Sequence, residues 1–180
     1  MSNTGIVRRI DELGRVVIPK EIRKTLRIKE GDPLEISAEK NELLLKKFSP
    51  VNAVSQFSQS ICESIKEITD KICYITDTDQ ILCVAGAKKE VVGKQISQNL
   101  EKIIHEKQSQ VVSSGEGGII VPLFRGEETS AENQIIIPIV NSGDVYGSVI
   151  LCDREKSQRF SSCDVKLVQL VATILSKQFE

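Results

Sequence analysis

The chain has 180 residues, of which 40% are hydrophobic and 27% charged, a composition typical of a soluble globular protein. Its apolar runs are far shorter than the roughly 18 residues that a membrane-spanning helix needs, and no signal-type apolar region stands at the N-terminus, so we expect a cytoplasmic protein. A single histidine and five cysteines without CxxC spacing argue against a His-rich metal site and a disulfide framework, and we predict neither a metal nor a cofactor.

The net charge of −1 conceals an asymmetry between the two parts of the chain. Residues 1–50 contain 11 Lys and Arg and 8 Asp and Glu, which leaves 13 of the 24 basic and 17 of the 25 acidic residues for the rest. The first segment is therefore +3 and the remainder −4. A basic function, if the chain has one, is expected in the N-terminal segment.

The first 50 residues predict a β-β-α-β-β order. Thr4 to Ile10 and Arg15 to Ile18 read as a hairpin, with Gly14 free to take a positive φ in the turn. Pro19 is typical of a helix start. The rest of the segment predicts a helix from Lys20 to Ile28, a stop at Gly31-Asp32-Pro33, and two strands, Leu34 to Ala38 and Leu43 to Phe48.

A module of about 50 residues buries little of its own surface and is marginal without disulfides, metals or a partner. The sequence offers no disulfide framework or metal ligands here, so we expect a second copy of the chain to complete the module as a two-fold dimer. Ile22 and Leu26 share one face of the helix and are expected in its core.

Residues 51–180 change to the pattern of a compact α/β domain. A helix from Val51 to about Lys71 carries an apolar seam, and a last helix from Cys163 to Phe179, which Ser161-Ser162 can cap, has an apolar stripe too wide for one contact. The other predicted elements are a helix from about Lys94 to Lys107 and strands at Ile72 to Thr76, Ile81 to Val84, Ile119 to Pro122, Gln134 to Asn141 and Val145 to Asp153. Ser142-Gly143-Asp144 predicts the hairpin that joins the last two strands.

Four cations of the first predicted helix, Lys20, Arg23, Lys24 and Arg27, fall at i, i+3, i+4 and i+7, on a face separate from the apolar one. Like charges at this spacing repel each other, so the arrangement favours an anionic partner, and duplex DNA is the natural one. The alternative is a solvated surface whose cations pair with nearby acids such as Asp11. Further arginines flank the predicted hairpin turn: Arg8, Arg9 and Arg15.

The N-terminal segment resembles the swapped-hairpin module of AbrB-type transition-state regulators. The likeness is carried by Thr4-Gly5-Ile6-Val7-Arg8-Arg9-Ile10-Asp11-Glu12-Leu13-Gly14-Arg15-Val16-Val17-Ile18-Pro19, Glu21-Ile22-Arg23-Lys24-Thr25-Leu26 and Gly31-Asp32-Pro33-Leu34-Glu35-Ile36. It implies that two chains interleave their hairpins into one small β-barrel, and that DNA is contacted by Arg8, Arg9, Arg15, Arg23 and Lys24. Lys20 and Arg27 join these candidates on helical geometry alone. Position 24 is often arginine in the family, so Lys24 is expected to supply charge without a bidentate contact.

Residues 51–180 resemble the GAF-like domain that follows such a module in regulators of endospore-forming bacteria. The likeness rests on Ile137-Pro138-Ile139-Val140, Gly143 to Gly147 and Val149-Ile150-Leu151. The expected fold class is α+β, with a dimeric swapped-hairpin β-barrel at residues 1–50 and a GAF-like α/β domain at residues 51–180. The resemblance implies a non-enzymatic regulator of forespore genes, a homotetramer joined through helices of the GAF-like domains, and an effector site with no identified small molecule.

Two other functions remain open at this point. The same swapped-hairpin module occurs in antitoxins, although there a disordered toxin-binding tail usually follows it. A GAF-like fold can also support thiol redox chemistry; Cys73 and Cys83 lie on neighbouring predicted strands, but buried inert thiols are the simpler interpretation. The glycines at 115, 117 and 118 indicate a plain loop, and Gly86 with Gly93-Lys94 lacks the spacing and the Ser/Thr of a P-loop.

Overall fold

The computed structural model describes residues 5–48, 55–113, 118–127, 131–155 and 159–179. The chain divides into two compact units, Met1–Phe48 and Ser49–Glu180, and each unit is described by itself. No helix within these ranges is long and apolar enough to cross a membrane.

The first unit contains one short helix, α1 (Lys20–Leu26). Pro19 stands at its N-cap, and its carbonyl accepts a hydrogen bond from the Arg23 amide at 2.9 Å. The helix ends because Arg27 adopts a left-handed conformation with φ 54°, and the Ile28 amide then bonds back to the Arg23 carbonyl. The predicted continuation of the helix to Ile28 is therefore wrong.

A hairpin of two strands, β1 (Leu34–Glu39) and β2 (Glu42–Lys47), completes the regular structure of residues 5–48. The register runs from Leu34 opposite Lys47 to Glu39 opposite Glu42, with Lys40 and Asn41 in the turn. Asp32 fixes the preceding loop, because its carboxylate accepts the Lys29 amide at 2.8 Å and lies 3.3 Å from the ammonium group of Lys47. The predicted strand pair is confirmed.

The first two predicted strands differ from expectation. The turn between them is present, since the Gly14 amide donates to the Asp11 carbonyl at 3.0 Å, but residues 5–10 and 15–18 are not strands in the single chain, and Thr4 lies outside the described residues. The physical reason is that a strand needs a neighbour for its backbone groups, and among the described residues no strand pairs with this segment. Its apolar side chains remain exposed accordingly: Val7 is 89% and Val17 74% exposed.

The expected core of the first unit is also not formed by one chain. Leu26 is 48% exposed, and α1 contributes no buried residue. On the hairpin, Ile36, Leu43 and Leu45 are exposed as well. Because β1 and β2 place these three side chains on one face, the unit presents a continuous apolar surface to solvent.

The second unit is built on one five-stranded antiparallel sheet with the order β4-β3-β7-β6-β5. Its strands are β3 (Ile72–Thr76), β4 (Ile81–Ala85), β5 (Gln110–Ser113), β6 (Asn133–Asn141) and β7 (Asp144–Asp153). Ser142 and Gly143 both have positive φ, 51° and 89°, which is the geometry of a two-residue hairpin loop and confirms the predicted turn.

Both faces of this sheet are covered, which explains its continuous apolar runs. Ile135, Ile137 and Ile139 of β6 point to one core, while Ile136 points to the other. Helices α2 (Ser55–Thr69) and α4 (Ser162–Ser176) cover the first face; α3 (Gln98–His105) and residues 118–127 cover the second. A 3₁₀ turn, Lys89–Val91, lies between β4 and α3, and another, Lys177–Phe179, follows α4.

Serine side chains begin two of these helices. Ser161 and Asp164 form a reciprocal capping box at α4, in agreement with the predicted cap. Ser97 caps α3 by accepting the Leu100 amide at 3.1 Å, so α3 begins four residues after the predicted start at Lys94. Lys94 instead accepts a backbone hydrogen bond from Ile81 along the open edge of β4.

The predicted strand from Ile119 to Pro122 does not form. Instead, the buried side chain of Gln134 makes the hydrogen bonds that a neighbouring strand would make: the Val121 amide donates to its Oε1 and its Nε2 donates to the Val121 carbonyl, both at 3.0 Å. One side-chain amide therefore fixes this segment over the sheet. Strand β5, which sequence analysis missed, is the edge strand next to β6.

Replacing Gln134 by leucine is expected to lower the free energy of unfolding by about 2 to 6 kcal/mol, because two buried backbone groups lose their partner at about 1 to 3 kcal/mol each. Urea unfolding followed by far-ultraviolet circular dichroism measures this change. The control Gln98→Leu alters an exposed residue of α3 and should stay within about 0.5 kcal/mol of the unmodified protein. Equal losses in the two variants would contradict the role of Gln134.

Candidate nucleic-acid interface

The candidate DNA-contacting cations lie in the first unit, and most of them are open to solvent. Six of the seven are exposed, and Arg27 is half-buried. The exposed ones are Arg8, Arg9, Arg15, Lys20, Arg23 and Lys24. Exposure is what a surface that binds a polyanion requires, because a buried cation cannot reach a phosphate.

Helix α1 carries three of these cations at i, i+3 and i+4: Lys20, Arg23 and Lys24. This spacing places them on one side of the helix. Arg23 and Lys24 stand in the last turn, where the negative end of the helix dipole favours positive charge. Arg27 does not continue this face, since it lies beyond the helix end in a left-handed conformation, and the helical argument for its inclusion fails.

Arg15 differs from the other cations because an acid holds it. Its Nε donates to Asp11 Oδ2 at 2.7 Å, while the side chain stays 72% exposed. Hydrogen bonds from the backbone and side chain of Arg15 hold the pKa of Asp11 below its usual range. Charge pattern alone indicates Asp11 only as a neutralising neighbour; its spacing of four residues before Arg15 is the signal for a closer relation.

A small cavity lies on the α3 side of the sheet in the second unit. It has a volume of about 30 Å³, and its polar lining includes Tyr74, Glu127, Gln134 and Arg154. Burial raises the pKa of both Tyr74 and Glu127. A cavity of this size holds about one water molecule, whereas small-molecule sites measure roughly 300 to 1,000 Å³. The described residues thus leave no room here for an effector of ordinary size.

The cysteines offer a second candidate site, and four of the five are buried. Cys73 lies opposite Ala85 rather than Cys83 in the sheet register, and its sulfur is instead 3.4 Å from that of Cys62 on α2. The thiol of Cys62 donates to Cys73, and this hydrogen bond together with burial raises its pKa. Burial also raises the pKa of Cys83 and of Cys152 to about 12. The raised pKa values of Cys62, Cys83 and Cys152 favour the unreactive protonated form of these three thiols.

Two families match the sequence. Residues 53–180 match the family described as "Stage V sporulation protein T C-terminal, transcription factor", which is more than two thirds of the chain. Residues 7–52 match the family described as "Antidote-toxin recognition MazE, bacterial antitoxin". The boundary between these matches falls close to the division between the two compact units.

Two relatives from Bacillus subtilis (strain 168) cover most of their own length. Stage V sporulation protein T is 38% identical over 182 aligned residues, which span 100% of this chain and 99% of that protein. The transition state regulatory protein AbrB is 37% identical over 111 residues, 62% of this chain and 94% of its own. The resemblance of the N-terminal segment to AbrB-type regulators is confirmed.

Among solved structures, the GAF domain from an Acinetobacter phosphoenolpyruvate-protein phosphotransferase is similar to the chain. The TM-score is 0.57 at 16% identity, over 73% of this chain and 82% of that one. A likeness at this identity concerns the fold alone. It confirms that the second unit is GAF-like.

The burial of the thiols predicts a biphasic reaction with a thiol-specific disulfide reagent. We expect one fast thiol, Cys163, which is exposed, and four that react only after denaturation. Counting the released chromophore before and after adding denaturant measures both groups. Cys163→Ser should abolish the fast phase and leave the slow one unchanged. A second fast thiol in the native protein would contradict the assignment of Cys62, Cys73, Cys83 and Cys152 as inert.

Proposed function

Because the chain belongs to the stage V sporulation protein T family of transcription factors, we propose that it regulates sporulation genes by binding duplex DNA through a dimer of its first unit. It is a transcriptional regulator of sporulation, and we propose which surface binds DNA. The observation that carries it is the set of exposed cations between Arg8 and Lys24. A bacterial regulator of this kind meets its DNA in the cytoplasm.

The proposed contacts divide between two elements of the first unit. Arg8, Arg9 and Arg15 flank the turn at Asp11, and α1 supplies Lys20, Arg23 and Lys24. A two-fold dimer presents each of these cations twice, which suits a DNA site made of two symmetry-related half-sites. Arg27 is left out of the proposed interface because its place rested on a helix that ends before it.

The dimer is proposed because of the apolar surface that one chain leaves uncovered. Residues 5–18 form no strand, and the exposed apolar side chains there include Val7, Ile10 and Val17. The hairpin of β1 and β2 adds Ile36 and Leu43. Pairing of residues 5–10 and 15–18 with the same segments of a second copy would bury these side chains and satisfy the backbone groups.

A tetramer is proposed from a second, separate apolar surface on the GAF-like unit. Helices α2 and α4 cover the same sheet face, yet each exposes apolar side chains on its outer side: Phe57 and Ile68 of α2, and Leu170 and Ile174 of α4. This accounts for the stripe on the last helix that is too wide for one contact. Packing these helices against those of another chain would join two dimers.

The antitoxin alternative is favoured only by the match of residues 7–52. In place of a disordered toxin-binding tail, the chain continues into a sheet with apolar cores on both faces. The thiol-enzyme alternative has the buried sulfurs against it. The N-terminal segment that matches the antitoxin family also matches the regulator AbrB, so this match does not favour an antitoxin over a regulator.

Salt dependence of DNA binding tests the proposed interface. The slope of log K against log salt is negative. Arg15→Ala and Arg23→Ala in the full chain should each make it shallower by about 0.9 for every phosphate that the missing side chain neutralised. Both residues are exposed, so thermal unfolding should be nearly unchanged. Lys102→Ala removes an exposed cation of the GAF-like unit and should leave the slope as it is. An unchanged slope in both arginine variants would place the DNA contacts elsewhere.

The double variant Leu170→Asp with Ile174→Asp should reduce the mass in solution from four chains to two, because charges on the outer face of α4 oppose its packing against another helix. Light scattering coupled to gel filtration measures the mass. Gln98→Asp with Lys102→Asp has the same i, i+4 spacing on α3 and should remain tetrameric. A variant at 170 and 174 that keeps four chains would show that α4 is not the interface.

A further inference from the structure

Five hydrogen bonds connect Asp11 with Leu13, Gly14 and Arg15. Its carboxylate Oδ1 accepts the amides of Leu13 at 3.0 Å and Arg15 at 2.8 Å, and Oδ2 accepts Arg15 Nε at 2.7 Å. The backbone adds bonds from the Gly14 amide to the Asp11 carbonyl and from the Asp11 amide to the Arg15 carbonyl, at 3.0 and 3.1 Å. One side chain therefore fixes both the turn and the direction of the Arg15 guanidinium.

The contact through Nε determines which donors of Arg15 stay available. A guanidinium has five N–H donors, and Asp11 occupies the one on Nε. The two terminal nitrogens form a fork that fits O6 and N7 of guanine or the oxygens of a phosphate. Since the Arg15 side chain is 72% exposed, this fork is free to meet a large partner.

General affinity for DNA does not explain an acid at this place. A carboxylate beside the cations repels phosphates, and the hydrogen bonds that hold the pKa of Asp11 below its usual range favour its charged form. Stability of the turn explains the two backbone amides bound to Oδ1, but not the contact of Oδ2 with Arg15 Nε, because an exposed ion pair contributes little. An arginine held in one orientation, however, loses less conformational entropy when it contacts the correct base. It also cannot change its rotamer to accommodate a different base, which lowers the affinity for other sequences.

We propose that Asp11 is a positioning residue that presents the terminal fork of Arg15 to a base edge and thereby determines sequence preference rather than general affinity for DNA. The inference rests on the proposed function, in which Arg15 contacts DNA. The three side-chain hydrogen bonds of Asp11 carry it. Guanine is the base that accepts two parallel hydrogen bonds from such a fork.

The test compares two duplexes of equal length with the full chain. One is selected with the unmodified protein from a random-sequence pool, and the other is a shuffled sequence of the same composition. Asp11→Asn keeps an oxygen for the backbone amides but brings an N–H₂ group against Arg15 Nε. We expect the preference for the selected duplex to fall about tenfold or more, the effect of removing one bidentate pair, while affinity for the shuffled duplex stays equal or rises.

Glu12→Gln is the matched control, because it removes the same charge from the next residue of the same turn. It should raise affinity for the shuffled duplex to a similar extent and leave the preference unchanged. If Asp11→Asn and Glu12→Gln have the same effects, Asp11 acts by charge alone and the inference is overturned.

Arg15 variants separate this inference from the proposed function. Arg15→Lys keeps the charge and the backbone bonds of the turn but lacks the fork, so it should lose the preference as Asp11→Asn does, even where the Asp11 variant folds poorly. Combining both substitutions should cost no further preference. If Arg15→Ala binds both duplexes as the unmodified protein does, the proposed DNA contact itself is wrong; if it loses preference while Asp11→Asn does not, only the role of Asp11 is wrong.

Discussion

The apolar surface that the first unit leaves uncovered is the constraint on which the rest of the structure depends. In one chain, helix α1 buries no residue, the segment around the turn at Asp11 forms no strand, and Ile36 and Leu43 of the hairpin face solvent. A segment of 48 residues cannot correct this by folding more tightly, because its surface is too large for its volume. Association with a second copy would supply the missing burial, and in the proposed dimer the surface for DNA belongs to both chains.

The second unit has the opposite character. Its sheet is packed on both faces. The side chain of Gln134 forms the hydrogen bonds that the backbone of Val121 needs, and a largely buried ion pair of 2.9 Å joins Lys71, just before β3, to Asp153 at the end of β7. The cavity of about 30 Å³ that remains on the α3 side is the size of a water site. This packing suits a rigid body that sets the geometry of an oligomer. An effector on this side of the sheet would have to open the segment that Gln134 holds.

Sequence patterns predicted those features that depend on neighbours along the chain. The hairpin at Ser142 and Gly143, strand β3 and the cap at Ser161 all follow from local rules. The strand expected at Ile119 to Pro122 failed because a side chain, Gln134, replaced a backbone partner. Residues 5–18 failed because strand propensity does not supply a partner. In the candidate site, the sequence identified the cations and offered the spacing of Asp11 and Arg15 as a signal for their contact. The end of α1 at a left-handed Arg27 and the backbone hydrogen bonds of the turn depend on backbone angles, which the sequence pattern does not show.

The proposed DNA surface combines two kinds of cation, and their difference accounts for how such a surface could be selective. Exposed lysines such as Lys20 and Lys24 act as point charges, which attract any duplex equally. Selectivity requires a donor pair whose direction is fixed before DNA arrives, because a freely rotating side chain adapts to many bases at similar cost. Arg15 is the cation of the described first unit whose guanidinium is held by a hydrogen bond to an acid side chain. The acid lowers the net positive charge of the interface by one, and that loss of general attraction is consistent with a surface shaped for preference rather than for maximal affinity.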